Sequence, residues 1–145
     1  MGLELAGLRR ATVADIEGMH KVRMSVNENR LSDPARIGAE DYRALLEGAG
    51  RGWVFEIEGA IVGFAIGDHD QRNIWALFVA PGYERRGIGR ALHERMVRWL
   101  FEQGGDALWL TTEAGSRAER FYRAAGWEPR GEAPGGELRF ELQAV

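Results

Sequence analysis

The run GYERRGIGR, from Gly82 to Arg90, sets two glycines two positions apart among three arginines. It follows a β-rich run ending at Pro81 and precedes an apolar helical repeat. In that setting the unpaired amides of a helix's first turn point outward at the positive end of its dipole. Gly87 and Gly89 let the main chain approach a ligand with no Cβ in the way, while Arg85, Arg86 and Arg90 add charge. The chemistry is anion binding, and a pyrophosphate fits it. The competing reading is a tight turn with a solvated arginine face. The loop lacks the Gly-Lys-Ser or Gly-Lys-Thr of a P-loop and follows several strands instead of opening a βαβ unit, so ATP and NAD are poor candidates.

A loop of this kind must be held between a strand and a helix, and the flanking residues supply both. Ile74 to Val79 reads as a strand ended by Pro81-Gly82, since proline cannot donate to a ladder. Ile88, Leu92, Met96 and Leu100 step by four, which predicts a helix from Ile88 to Phe101 with one face on a sheet. Ala107 to Thr112 is the next strand, and the order strand, loop, helix, strand implies a right-handed crossover between parallel neighbours. Ser116 and Glu119 have capping-box spacing and open a helix from Arg117 to Ala125, expected to turn Ala118, Phe121, Tyr122 and Ala125 inward before Gly126.

Upstream, Leu8 to Ala11 reads as a short strand. Thr12 and Asp15 have capping-box spacing before a helix whose apolar face is Ile16, Met19, Val22 and Val26, ending near Asn27 to Arg30. Ala39 to Glu47 is a second helix. Trp53 to Ile57 and Ile61 to Ile66 form a hairpin around Glu58-Gly59, and Trp127 to Arg130 and Glu137 to Leu142 form another around Pro134-Gly135-Gly136.

The 145 residues suit one domain with one core. A net charge of -3 argues against nucleic acid as the main partner. Without cysteine there is neither a disulfide nor a thiolate nucleophile, which fits a reducing compartment. Neither an export signal nor an 18-residue apolar run is visible, so a cytoplasmic protein without a membrane partner is expected. The three histidines, His20, His69 and His93, are scattered, and no metal is expected.

Two motifs in combination resemble the GNAT superfamily of acyl-CoA-dependent N-acetyltransferases. One is a strand ending in Val79-Ala80-Pro81 followed by Glu84-Arg85-Arg86-Gly87-Ile88-Gly89. The other is Ala118, Phe121, Tyr122, Gly126 and Trp127. The resemblance implies an α/β (α+β) single domain over residues 1 to 145, its mixed, mostly antiparallel sheet split by a V-shaped opening and flanked by about four helices. It implies that the amides of Arg85, Arg86, Gly87, Ile88, Gly89 and Arg90 hold the pyrophosphate of acetyl-CoA, and that the edge Leu77, Phe78 and Val79 pairs with its pantetheine arm. A bulge near Val79 is expected to part the strands. Two positions depart from the family pattern. Glu84 replaces a glutamine or arginine, and its carboxylate should turn away from phosphate. Gly115 replaces an asparagine seven residues before the tyrosine.

The same resemblance implies acetyl transfer to a primary amine by direct attack in a ternary complex, with Tyr122 as general acid beside the sulfur. Glu113, past the strand leading to the tyrosine helix, is the first candidate base. Glu28, Asp70 or a water chain are alternatives. Glu28, Asp70 and Trp75 are expected at the acceptor pocket, where Glu28, Asp33, Asp41, Asp68 and Asp70 would make an acidic mouth suited to a cationic small-molecule or peptide amine. The rival reading is a non-catalytic acyl-CoA sensor or partner-binding domain on the same fold. The last hairpin offers an edge for a homodimer.

Overall fold

Three β-rich runs joined by short turns fold as an antiparallel meander, because each run turns successive side chains to opposite, covered faces and each turn reverses the chain. The computed structural model describes residues 7–26 and 37–144. β1 (Leu8–Arg10) pairs with β2 (Gly50–Ile57), β2 with β3 (Ala60–Asp68) and β3 with β4 (Asn73–Val79), all antiparallel. Helix α3 (Ile88–Glu102) carries the chain back, so that β5 (Ala107–Thr112) runs parallel to β4. The sheet order is β1-β2-β3-β4-β5-β7-β6, with β6 (Glu128–Glu132) and β7 (Leu138–Gln143) antiparallel to their neighbours. The remaining α-helices among the described residues are α1 (Ile16–Ser25), α2 (Ala39–Glu47) and α4 (Arg117–Ala124). This is the expected mixed, mostly antiparallel sheet flanked by four helices. Ala125, expected inside, is exposed, because the helix ends before it and Gly126 turns the chain at φ 98°.

The two faces of the sheet carry separate cores. On one, Met19 and Val22 of α1 and Tyr42 of α2 pack against Val54, Phe64, Ile66 and Ala76. On the other, Leu92, Met96 and Leu100 of α3 and Tyr122 of α4 pack against Trp53, Ala65, Ile74, Leu110 and Phe140. Each fully buried side chain of this size contributes roughly 1.5–3 kcal/mol.

Two irregularities position the site. Ile66 pairs with Ala76 and Gly67 with Ile74, so Trp75 is an extra residue in β4. Trp75 and Ala76 therefore both belong to the α1 and α2 face, which strict alternation forbids. The bulge expected near Val79 thus lies toward the other end of the strand. Beside it, β4 and β5 pair at a single position, Asn73 with Trp109. That end is tightly laced. The Trp109 amide donates to the Arg72 carbonyl at 3.0 Å, Asn73 Nδ2 to the Trp109 carbonyl at 3.1 Å, and Trp109 Nε1 to the Gln71 carbonyl at 2.7 Å. Beyond this clasp the strands part.

Candidate active site

A cleft of about 370 Å³ fills the opening. Its walls come from β4 (Trp75, Leu77, Phe78), β5 (Trp109 to Thr112), α4 (Ala118, Tyr122) and α1 (Arg23), with Glu113 and Glu137 also on its lining. The Ala80 amide donates to the Val62 carbonyl on β3 at 2.8 Å. Strand alternation then turns the main-chain groups of Phe78 toward β3 and those of Leu77 and Val79 into the opening. Leu77 and Val79 thus offer an unpaired strand edge, while the Phe78 side chain packs on the α1 side.

At the open end, α3 begins at a glycine in the left-handed region, Gly87 at φ 85°, where a Cβ would be strained. The first intrahelical bond runs from the Ala91 amide to the Gly87 carbonyl, so the amides of Ile88, Gly89 and Arg90 precede it. No side chain caps this end, and its first turn holds no acid. Arg85, Arg86 and Arg90 are exposed, with the Arg86 guanidinium 4.9 Å from the Tyr83 ring centroid. Gly89 follows in the first turn of the helix. A Cβ there would meet Phe121 and Val79 at 3.6 Å, an ordinary contact, so an alanine fits. Glu84 is folded back: it accepts from the Gly82 amide at 2.8 Å and from Arg117 Nη1 at 2.9 Å. Its own amide, that of Gly82 and Arg117 hold its carboxyl below the usual range. These features fit a pyrophosphate, because the first-turn amides precede the intrahelical ladder, three arginines stand exposed beside them and the Glu84 carboxylate is engaged elsewhere.

Tyr122 reaches the cleft from α4. The Ser116 hydroxyl opens that helix, accepting from the Glu119 amide at 3.1 Å and donating to the Glu113 carbonyl at 2.7 Å. Glu119 reaches back to the Gly115 amide at 2.7 Å, one residue before the position a capping box uses. Tyr122 is buried against Phe121, His93 and Trp127, and burial drives its phenol pKa well above the ordinary value. His93 sits behind it on α3. Its Nε2 accepts from Trp127 Nε1 at 2.9 Å, which puts the imidazole proton on Nδ1, and burial lowers its pKa to about 4.

Of the other expected site residues, Glu113 stands exposed at the end of β5 and Trp75 lines the cleft. Asp70 is on the β3–β4 turn, at the laced end of the strands, where its amide donates to Asp68 Oδ1 at 3.1 Å. Neither Asp70 nor Asp68 lines the cleft. Asp41 accepts from the Gly38 amide at 2.8 Å at the start of α2. Glu28 and Asp33 lie outside the described residues.

Arg23 is the cleft residue that sequence reasoning missed. It lies four positions after Met19 and seven after Ile16, on the apolar face of α1, and that spacing was the available signal. Its guanidinium carbon is 5.0 Å from the Trp75 ring centroid and 4.9 Å from that of Phe78.

Residues 16–127 match the model of the acetyltransferase (GNAT) family. The chain belongs to that family. It is 38% identical over 65 residues to a histone acetyltransferase of Glycine max, covering 44% of this chain and 27% of the relative. It is 31% identical over 78 residues to an uncharacterized N-acetyltransferase of Mycobacterium tuberculosis, covering 51% and 50% of the two chains. With the [ribosomal protein bS18]-alanine N-acetyltransferase of Escherichia coli it shares 37% identity over 49 residues, 34% of this chain and 33% of the relative. The aligned part thus spans from about a quarter to a half of the length of these curated relatives. Among solved structures, the PaiA N-acetyltransferase of Thermoplasma acidophilum in complex with coenzyme A superposes with a TM-score of 0.76 at 13% identity, covering 94% of this chain and 98% of that one. A putative GNAT-family acetyltransferase of Desulfovibrio desulfuricans gives 0.79 at 22% identity, covering 95% and 98%. These two likenesses establish the fold.

Proposed function

We propose that this chain, acting as one domain, is an N-acetyltransferase that moves an acetyl group from acetyl-CoA to a primary amine by direct attack within a ternary complex. The observation that carries the reading is the opening between β4 and β5, flanked by an uncapped helix end and walled by a buried tyrosine. Acetyl-CoA supplies an activated acetyl thioester and a pyrophosphate. The amides at Arg85 to Arg90 bind the pyrophosphate, and the edge at Leu77 and Val79 orients the arm that carries the acetyl group. That edge presents an amide to the thioester oxygen, a donor whose strength rises in a site that excludes water.

Tyr122 holds its proton through the neutral range, because burial raises its pKa, and delivers it to the departing sulfur. Glu113, on the cleft lining, takes the proton released by the attacking amine, directly or through water. With no cysteine in the chain, no thiol relays the acetyl group. The acceptor is a small-molecule or peptide amine, and the peptide option draws on relatives that include a histone acetyltransferase and an enzyme named for a ribosomal-protein alanine. β6, the sheet's last strand, offers an edge at which a second copy could pair. No helix among the described residues is long and apolar enough to cross a membrane. A chain without cysteine suits a reducing compartment, which is in keeping with a cytoplasmic setting.

Calorimetric titration with acetyl-CoA tests the cofactor, with Gly87→Glu placing bulk and negative charge at the helix end. Wild type should bind at micromolar concentration and the variant should not. Absence of binding by wild type would overturn the reading, and binding without turnover on any amine would replace it with the sensor.

A further inference from the structure

Arg23 is 8% exposed in the wall of the cleft, and its Nε and Nη1 have no hydrogen-bond partner. Among the described residues no carboxylate pairs with it. A buried guanidinium with unmet donors is costly unless an anion joins it. The other unpartnered arginine nitrogens, Arg72 Nη2 and Arg51 Nε, lie off the cleft, on guanidinium groups engaged elsewhere. Arg72 donates to the Ala107 and Leu100 carbonyls, fastening the end of α3, and Arg51 stacks on Trp99 at 5.0 Å. Arg23 instead faces the opening, held there by Trp75 and Phe78, and Trp75 is the bulge residue that only an irregular strand could present on that side. The acids on the cleft lining, Glu113 and Glu137, come from the end of β5 and the β6–β7 turn, not from α1. One cation on α1 and two acids on other elements match a zwitterion. The volume of about 370 Å³ suits a small molecule.

We propose that Arg23 receives the carboxylate of a small, amino-acid-like acceptor, so that the site selects amines bearing a carboxylate over amines without one. This rests on the acetyltransferase reading and deepens it, replacing the expected cationic acceptor with a zwitterionic one. Arg23 is then a specificity residue, while the acids at the opposite lining draw the ammonium toward the thioester.

The test uses the full chain, titrated calorimetrically with coenzyme A and then, in its presence, with N-acetylglycine, N-acetylglycinamide or inorganic phosphate. Wild type should bind N-acetylglycine about 30-fold more tightly than the carboxamide. Arg23→Met should erase that preference and Arg23→Lys should keep part of it, while coenzyme A affinity stays constant across all three. Arg23→Met should melt no lower than wild type in the absence of ligand, since it removes a buried charge without an acceptor. If it fails to fold, Arg23→Lys and the wild-type pair of analogues decide the matter. Equal binding or no binding of the two analogues by a coenzyme A-binding wild type overturns the proposal, as does a preference that survives in the variants. Phosphate binding as tight as N-acetylglycine overturns the choice of carboxylate. Failure of wild type to bind coenzyme A sinks the acetyltransferase reading, and this proposal with it.

Discussion

Lowering the pH should loosen the wall that holds Tyr122 before it affects the carboxylates. His93, on α3, is buried against α4, accepts from Trp127 Nε1 at 2.9 Å and packs on Tyr122 and Phe121, and among the described residues no acid contributes to its titration. Its pKa falls from 6.5 to about 4 through burial. The unfolded chain therefore binds a proton below pH 6.5 that the folded chain refuses until about pH 4. Stability is full above 6.5 and is lost as pH falls through this window. At about 1.4 kcal/mol for each pH unit the whole loss is about 3 kcal/mol, of which about 2 kcal/mol has appeared by pH 5. The groups held below their ordinary values, Asp15, Glu84 and Glu119, start from 3.8 to 4.5 and act at lower pH. Urea denaturation at pH 7 and pH 5 isolates the histidine. The control is His93→Gln, whose amide oxygen accepts from Trp127 and does not titrate. Wild type should lose about 2 kcal/mol more than the variant between these pH values. Parallel losses in the two proteins would refute the reasoning.

Tyr122→Phe should lower kcat by about a hundredfold or more while leaving coenzyme A affinity within a factor of about two, as steady-state kinetics beside calorimetry would show. Gly115→Asn should tighten coenzyme A binding by about fivefold, because Asn tolerates the left-handed φ of 77° and nothing lies within 4 Å of its Cβ. Unchanged affinity would mean that no donor is missing there. Arg9 donates to Asp15 through both Nη atoms at 2.9 and 2.8 Å and to Glu56 at 2.7 Å, but it is 41% exposed. Arg9→Met should accordingly cost only about 1 kcal/mol in urea denaturation.

Much of the frame was legible because period and punctuation agreed. Leu92, Met96 and Leu100 step by four and are all fully buried, and the glycine that opens α3 has the left-handed conformation its type suggests. What stayed hidden depended on contacts between distant segments. The expected bulge was placed by family likeness near Val79, whereas the register shift arises where Ile66 and Gly67 meet β4. A single histidine on a helix gives no sign of the tryptophan that will bond to it. Arg23 occupied an apolar-stripe position in plain sight. A cation there reads as a break in the stripe unless the aromatic partners are known, and those come from a strand whose alternation the bulge has shifted.

The opening between β4 and β5 explains how residues from both faces of this sheet can meet. In an unbroken sheet, residues on opposite faces are separated by a layer of paired backbone and cannot share a ligand. Here β4 and β5 are clasped at Asn73 and Trp109 and otherwise apart, so Tyr122 from the α4 face and Arg23 from the α1 face line one cleft. The unpaired edge between them, at Leu77 and Val79, would be a liability if left to other chains. Recessed between α4 and α1, it is instead available to a ligand arm that pairs as a strand does. On the proposed reading, cofactor recognition by the backbone and acceptor recognition by side chains can be tuned separately, because different elements carry them.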